Sequence, residues 1–223
     1  MTFSLVARCA RTGQFGMIIS SSSPAVAARC AHVRAGVGVV ASQNITDPAL
    51  GPLVLDRLAS GLPAAEALAA VTRGRDHIDY RQLLVVDRAG GCAIHSGAQV
   101  LGIWGEAMGQ DCAAGGNLLR GAGLPQAMVA AFERATGHLG DRLMASLQAG
   151  LTAGGEAGPV HSAGMKIADR LDWPLVDLRI DWSDQPIAAL AAAWDIYRPQ
   201  MAAYVQRAVD PTIAPSYGVP GDE

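Results

Sequence analysis

The order in which strand-like and helix-like segments follow one another constrains the fold of this chain most. Residues 2–9 alternate apolar and polar side chains, which predicts a strand, and a turn at 11–14 leads to a second strand at 15–20. The next segments are two helices, another hairpin and two more helices. A last pair of strands and a final helix follow them. A strict alternation of strands and helices would predict a parallel sheet, and this chain does not show it. We therefore predict an α+β fold in which two antiparallel sheets are flanked by helices.

Apolar periodicity and turn residues place the other elements. The predicted strands lie at 33–41, 81–87, 92–96, 108–114, 162–169 and 175–181, and the predicted helices begin near residues 48, 63, 125, 139 and 186, the last one running to 205. Gly36 and Gly38 fall inside the first of these strands, where we expect them to allow close packing. The sequence shows no repeat or linker. Residues 1–209 are therefore predicted to form one domain, followed by a Pro/Gly-rich tail at 210–223 without a regular element.

The balance of charge excludes several classes of partner. Seventeen Lys and Arg face twenty Asp and Glu, and the net charge is −3. A protein that binds nucleic acid through its phosphates usually carries a clustered basic excess, so no nucleic-acid partner is predicted. No apolar run approaches the roughly 20 residues that a membrane helix needs, so no membrane partner is predicted either.

The cysteines and the amino-terminal residues bear on location. The four cysteines are far apart in the sequence and form no Cys-x-x-Cys pair: Cys9, Cys30, Cys92 and Cys112. We interpret them as reduced thiols. Arg8 and Arg11 interrupt the first dozen residues, which therefore do not resemble a signal peptide. These features predict a cytoplasmic protein.

The histidines give no sign of a metal centre. They are His32, His77, His95, His138 and His161, and none of them has another histidine three or four residues away. No metal and no cofactor are therefore predicted. A metal-dependent hydrolase that uses His95 or His161 remains the least favoured alternative.

The residue in position 2 is the sharpest chemical feature. Removal of the initiator methionine is efficient when the next side chain is small, so the mature chain is predicted to begin with Thr2. A terminal threonine carries a hydroxyl and an α-amine whose pKa is about 7.7–8.0, and the amine can accept the proton of the hydroxyl. One residue would then supply both the nucleophile and the base for acyl transfer.

Four segments in order resemble one known family. They are TFSLVAR from Thr2, SQNITDPALGP from Ser42, AGGNLL from Ala114 and DLRID from Asp177. Together they resemble the domain-of-unknown-function family 1028, which is classed with the N-terminal nucleophile (Ntn) hydrolases. The resemblance covers about residues 2–181 and implies a four-layer αββα sandwich with Thr2 as nucleophile.

The same resemblance assigns further residues. Asn117 matches the asparagine of a Gly-Asn motif and is expected to donate to the oxyanion. Gln43 matches the glutamine of a Thr-Gln motif at the end of the third strand and is implied as a further catalytic residue. Ser21 matches the serine of an Ala-Ser-Lys motif in which Ser22 replaces the lysine. His161 and Ser162 stand where the family has Gln-Ser. Ser21, Ser22, His161 and Ser162 are thereby implied as substrate-binding residues.

Ordinary structural roles remain open for most of these residues. Gln43 could cap the helix that begins near residue 48. Asn117 after two glycines could be a left-handed turn residue. Residues 20–23 could be a polar strand end, and His161 could be a hydrogen-bonded structural histidine.

Together these features predict a cytoplasmic Ntn-type amidohydrolase that cleaves a C–N acyl bond, amide or ureido-like, in a small molecule. Its alternative is a non-catalytic binding or assembly protein on the same fold, which the replacement of lysine by Ser22 favours.

Three aromatic residues of the last helix, Trp194, Tyr197 and Tyr204, would favour aggregation if they were exposed. We therefore expect the last helix and the tail to pack against another copy in a homo-oligomer.

Overall fold

A computed structural model describes residues 1–221 of the chain, and ten strands in that range form two antiparallel sheets. The strands of the larger sheet are β1 (Thr2–Arg8), β2 (Phe15–Ser21), β7 (Gly105–Gly109), β8 (Cys112–Asn117), β9 (Ser162–Ala168) and β10 (Val176–Ile180). Their order across the sheet is β10-β9-β2-β1-β8-β7. The first hairpin therefore lies in the middle of the sheet, where its mostly apolar residues are covered on both faces.

The smaller sheet and the helices complete the fold. The sheet contains β3 (Ala31–Arg34), β4 (Gly38–Asn44), β5 (Arg81–Asp87) and β6 (Cys92–Ser96), in that order. The helices are α1 (Val26–Cys30), α2 (Leu50–Ala59), α3 (Ala64–Thr72), α4 (Leu124–Arg134), α5 (Leu139–Thr152), α6 (Pro186–Tyr197) and α7 (Met201–Val209). Short 3-10 helices lie at Ile78–Tyr80, Arg198–Gln200 and Pro211–Ile213. No helix among residues 1–221 is both long and apolar enough to span a membrane.

The two faces of β1 define the layers. Phe3 and Leu5 pack with apolar side chains of α4, α5 and α6, whereas Val6 packs with side chains of the smaller sheet. A third core joins the other face of the smaller sheet to α2 and α3. The predicted αββα sandwich is thus confirmed. Because side chains alternate along a strand, Thr2 and Ser4 share the face of Val6 and point between the two sheets.

The predicted third strand, 33–41, is a hairpin instead. Its two strands, β3 and β4, are joined by a turn in which Gly36 has a φ of +68°. The β-branched residues on both sides concealed this turn in the sequence. Gly36 therefore serves the turn, while Gly38 allows close packing, since a Cβ there would lie 2.6 Å from the carbonyl oxygen of Val86.

The predicted strand at 108–114 also spans a hairpin turn. β7 ends before this turn and β8 begins after it, and Asp111 occupies it with a φ of +56°. The side chain of Asp111 is held by Arg8, whose Nη1 lies 2.8 Å from Oδ1. An aspartate tolerates the left-handed conformation better than most residues, which makes this tight turn possible.

The final helix is interrupted where a continuous helix was predicted. Pro199 lies in the 3-10 helix Arg198–Gln200 between α6 and α7, and a proline inside a helix removes one backbone donor. Helical structure then continues to Val209, beyond the predicted end. The tail predicted to be irregular contains the 3-10 helix Pro211–Ile213, and its last two residues, 222 and 223, lie outside the described residues. The separation of a domain at 1–209 from a tail stays a prediction.

Candidate functional site

A row of polar side chains crosses four neighbouring strands at one end of the larger sheet. Thr2 pairs with Asn117 of β8, and Ser21 of β2 pairs with Ser162 of β9. Thr2 and Ser21 meet between these pairs, with 3.3 Å between their hydroxyl oxygens. All four residues are buried. The fold therefore brings together four of the residues that the sequence suggested, although they lie far apart along the chain.

The peptide bond between residues 1 and 2 lies within this row. The Thr2 hydroxyl donates a hydrogen bond to the carbonyl oxygen of Met1, and the Ser21 hydroxyl donates to the same oxygen. The backbone N–H of Ser23 in turn donates to Ser21 Oγ at 3.0 Å. The Thr2 hydroxyl is thus next to the nitrogen that would become the α-amine of a chain beginning with Thr2.

A buried amide network orients Asn117. The Nδ2 of Asn117 donates to Gln82 Oε1 at 3.3 Å, and Gln43 Nε2 donates to the same oxygen at 2.9 Å. Ser4 Oγ donates to Gln43 Oε1 at 2.6 Å, and Gln82 Nε2 donates to Ser96 Oγ at 3.0 Å. Within residues 1–221 the oxygen Oδ1 of Asn117 is buried without a hydrogen-bond partner. The network links the two sheets and fixes the amide of Asn117 beside Thr2.

The structure excludes the capping role for Gln43 and the left-handed turn role for Asn117 that the sequence left open. Gln43 does not cap α2; it binds the network, and the hydroxyl of Ser42 is the group that donates to the carbonyl of Asp47 before that helix. Asn117 is not the left-handed residue of its turn, because Leu118 takes that place with a φ of +52°. Both amide side chains are therefore directed into the interior.

Gln82 is a member of the network that the sequence did not reveal. It pairs with Gln43 across β4 and β5 and is fully buried. A signal was present, because a glutamine near the start of an otherwise apolar strand must find buried partners for its amide.

Glu156 is the second residue that sequence reasoning missed. It is only 2% exposed, and both of its carboxylate oxygens lie 3.2 Å from the backbone nitrogen of Ser22, which donates to them. Burial raises the pKa of Glu156 from 4.5 to about 7, although the positive charge of the chain's amino group and the hydrogen bonds of Ser22 oppose the rise. Glu156 follows Gly154 and Gly155. An acidic residue after two glycines in an apolar region was the sequence signal that could have identified it.

The raised pKa of Glu156 predicts a pH-dependent stability. Between pH 4.5 and about 7 the folded chain binds a proton that the unfolded chain releases, so this group's contribution to stability falls as pH rises through that window. Glu156→Gln stays neutral and still accepts from Ser22. From pH 5 to pH 8, wild type should lose stability relative to the variant by on the order of 3 kcal/mol. Urea unfolding at both pH values measures the difference, and a constant difference would contradict the prediction.

The other predicted site residues, Ser22, Ser162 and His161, contact neighbouring backbone segments. Ser22 takes part through its backbone nitrogen. Ser162 donates to the carbonyl of Ser23 at 2.6 Å and accepts from the nitrogen of Val26 at 3.2 Å, so it shapes the segment that leads into α1. The ring of His161 stacks on Trp182, with 4.4 Å between ring centroids, and its Nδ1 lies 3.3 Å from the carbonyl oxygen of Ser183. These contacts tie His161 to the loop after β10.

A cavity of about 620 Å³ adjoins the start of the chain. Glu156 and Gly158 form one side of it, and the end of the Met1 side chain would lie 3.5 Å from a Cβ placed on Gly158. Arg120 and Asp184 supply the other charged groups of its wall. Its volume is in the range of small-molecule sites. Among residues 1–221 no three His, Cys, Asp or Glu side chains are grouped so that they could hold a metal ion.

The fold and this cluster together define a class: an αββα sandwich with a buried hydroxyl and amide cluster at the start of its central strand. The comparisons assign the chain more closely. It belongs to the family of unknown function DUF1028, whose model matches residues 2–190. No curated protein matches it.

One solved structure agrees with the family assignment, and two others show only a weak likeness. A crystal structure of a DUF1028 protein from Silicibacter pomeroyi is 29% identical, with 92% of this chain and 90% of that chain covered and a TM-score of 0.86. An Anbu (Gly-1) mutant from Hyphomicrobium sp. strain MC1 is 13% identical over 91% of this chain and 97% of that one, with a TM-score of 0.44. Anbu (ancestral beta-subunit) from Yersinia bercovieri is 12% identical over the same shares, with a TM-score of 0.39. The TM-scores of the two Anbu structures are too low to support an inference about this chain.

Proposed function

We propose that this protein is an Ntn-type hydrolase that cleaves a C–N acyl bond, amide or ureido-like, in a small molecule. The observation that carries the proposal is the place of the Thr2 hydroxyl. It lies at the start of the central strand, next to the backbone nitrogen of its own residue and 3.3 Å from Ser21 Oγ. A hydroxyl beside a free amine is the minimum equipment for acyl transfer.

The proposed mechanism begins after removal of Met1. The α-amine of Thr2 accepts the hydroxyl proton while Oγ1 attacks the carbonyl carbon of the substrate. Asn117, aided by backbone N–H groups, donates to the oxyanion through Nδ2, and Gln43 holds Gln82 in place to orient it. The amine then returns the proton to the leaving nitrogen, and water releases the acyl group. No cofactor takes part.

Met1 controls the state of the proposed nucleophile. While it is present, the hydroxyls of Thr2 and Ser21 both donate to its carbonyl oxygen, and the nitrogen of Thr2 is an amide that cannot accept a proton. Its removal frees both hydroxyls and creates the base. We therefore propose Ser21 as a residue that contacts the substrate or the acyl group.

The direct test is the mass of the protein purified with a native amino terminus. We expect a mass lower by one methionine residue, followed by turnover of at least one compound in a panel of small amides and ureas. Retention of Met1 in the purified protein would remove the proposed base and with it the mechanism.

The second candidate function is a non-catalytic binding or assembly protein. One observation favours it: the cation that the family places after Ser21 is absent, since Ser22 stands there. The single lysine of the chain, Lys166, is paired instead with Asp177, with 3.3 Å between Nζ and Oδ2. A scaffold would not need a free Thr2 amine, so retention of Met1 would leave this second function, whereas loss of Met1 followed by turnover would favour the hydrolase.

We propose a cytoplasmic location for the activity. The four cysteines, Cys9, Cys30, Cys92 and Cys112, are all unpaired. Free thiols of this kind are typical of a reducing compartment.

We also propose a homo-oligomer that uses the end of the chain, although not through Trp194. Trp194 is buried in its own core and donates from Nε1 to Asp141 Oδ1 at 3.0 Å, so it offers no surface to a partner. Exposed apolar residues lie nearby instead, at Ile196, Val209 and Ile213. Exposed apolar groups of this kind are a reason for association.

Ending the chain after Val209 should weaken such an oligomer. The truncation removes Ile213, which is 71% exposed, and should leave the cores of both sheets intact. Sedimentation of the two forms over a range of concentrations measures the effect. Identical sedimentation would contradict this proposal without touching the proposed chemistry.

A further inference from the structure

Glu156 stands out among the buried groups because the proposed mechanism does not use it. Its carboxylate is held beside the polar row by the backbone N–H of Ser22. Ser22 directly follows Ser21, whose hydroxyl contacts both Thr2 Oγ1 and the carbonyl oxygen of Met1. A buried carboxylate is thus fixed one residue away from the contacts of the proposed nucleophile.

We propose that Glu156 is the positioning residue for the α-amine of Thr2, an inference that rests on the proposed function. Its carboxylate accepts an N–H of the amine and so directs the nitrogen lone pair toward Oγ1. It also stabilises the ammonium that exists after the amine has taken the hydroxyl proton. Nucleophile, base and an orienting acid then form a connected set, as in other hydrolases with an activated hydroxyl.

The electrostatics of the pocket support this role. An ionised carboxylate is costly to bury unless a cation is near, and the cation that acts on Glu156 in this structure is the amino group of Met1, one residue ahead of the nitrogen that would become the Thr2 amine. The other charged groups of the adjoining cavity are Arg120 and Asp184, and both are exposed to solvent. The side chain of Asp184 is 93% exposed and faces His161, at 3.6 Å from Nδ1. Removal of Met1 transfers the amino group of the chain to Thr2, so the Thr2 amine is the partner that we propose for Glu156.

The proton is accounted for at each step. The O–H bond of Thr2 breaks as an N–H bond forms, and Oγ1 makes its bond to the carbonyl carbon. The ammonium then gives that proton to the leaving nitrogen as the C–N bond breaks. Above its pKa of about 7, Glu156 stays ionised through the cycle and neither gains nor loses a proton. Water repeats the cycle to release the acyl group.

The test measures the pKa of the Thr2 amine in the mature protein and needs no substrate. Reductive methylation with ¹³C-formaldehyde labels the amine, and NMR follows its titration. In wild type we expect a pKa above the about 7.7–8.0 of an ordinary α-amine. Glu156→Gln keeps an acceptor for Ser22 and removes the charge, so it should lower the amine pKa by about one unit, a tenfold change in proton affinity.

Two controls complete the design. Asp184→Asn removes the exposed carboxylate of the same cavity and should leave the amine pKa unchanged. Glu156→Asp keeps the charge and should retain a raised amine pKa. A wild-type amine at or below its ordinary value, or one that does not respond to Glu156→Gln, would overturn the role of Glu156. Retention of Met1, seen in the mass of the same sample, would instead overturn the proposed function.

Discussion

Thr2→Ala is expected to abolish hydrolysis and leave the fold intact. The substitution keeps the α-amine and deletes the hydroxyl, so no nucleophile remains. Thr2 is the first residue of β1, and the apolar side chains that hold this strand in the core, such as Phe3 and Leu5, are unchanged. The measurement is turnover of a substrate from the amide and urea panel, with circular dichroism to follow folding.

Thr2→Ser is the matched variant. It keeps both the hydroxyl and the amine and loses only the methyl group that restricts χ1, so part of the activity should remain. A β-lactone acylating probe should likewise add its mass to wild type and to Thr2→Ser but not to Thr2→Ala. Wild-type activity in Thr2→Ala would show that another group carries the chemistry and would favour the binding-protein alternative.

Asn117→Ala should lower kcat by roughly 10²–10³. The amide is placed by its strand opposite Thr2 and oriented by Gln82, so it can donate to charge that develops on the substrate oxygen. Steady-state kinetics on the same substrate measures the effect. Because the interaction forms mainly in the transition state, kcat should fall much more than KM rises.

The control for Asn117 is an amide outside the cluster. Gln126 lies exposed on α4, where its Nε2 donates to the carbonyl of Glu106 at 3.2 Å. Gln126→Ala should leave kcat unchanged. An unchanged kcat in Asn117→Ala itself would remove Asn117 from the oxyanion site.

The fold was predictable wherever local chemistry marks a turn. Residues 88–91 are Arg-Ala-Gly-Gly between two apolar runs, and the hairpin of β5 and β6 has the predicted bounds. The hairpin of β3 and β4 was missed because its turn interrupts a β-branched run with a single positive-φ glycine, Gly36. β7 was missed because its sequence, GEAMG, has no strand preference of its own, and its pairing with β8 decides its structure.

The site was predictable only in part, for a different reason. The position and residue type of Thr2 suggest its role directly, whereas Ser21 and Asn117 were implied by the resemblance to the family. Gln82 and Glu156 have a role only through partners on other strands and loops, since Gln82 reaches Asn117 across the two sheets and Glu156 reaches Ser22 from a loop. Contacts between segments so far apart are set by tertiary packing, which no local pattern reveals.

The hydrogen bonds that end on the carbonyl oxygen of Met1 bear on how the protein should be produced. Any affinity tag placed ahead of Thr2 leaves a peptide carbonyl at that position, with the hydroxyls of Thr2 and Ser21 bound to it. Under the proposed mechanism, a substrate screen of such a fusion would find a folded protein without activity. A tag on the opposite end of the chain leaves the start of β1 to cellular processing and is the form in which a substrate search should begin.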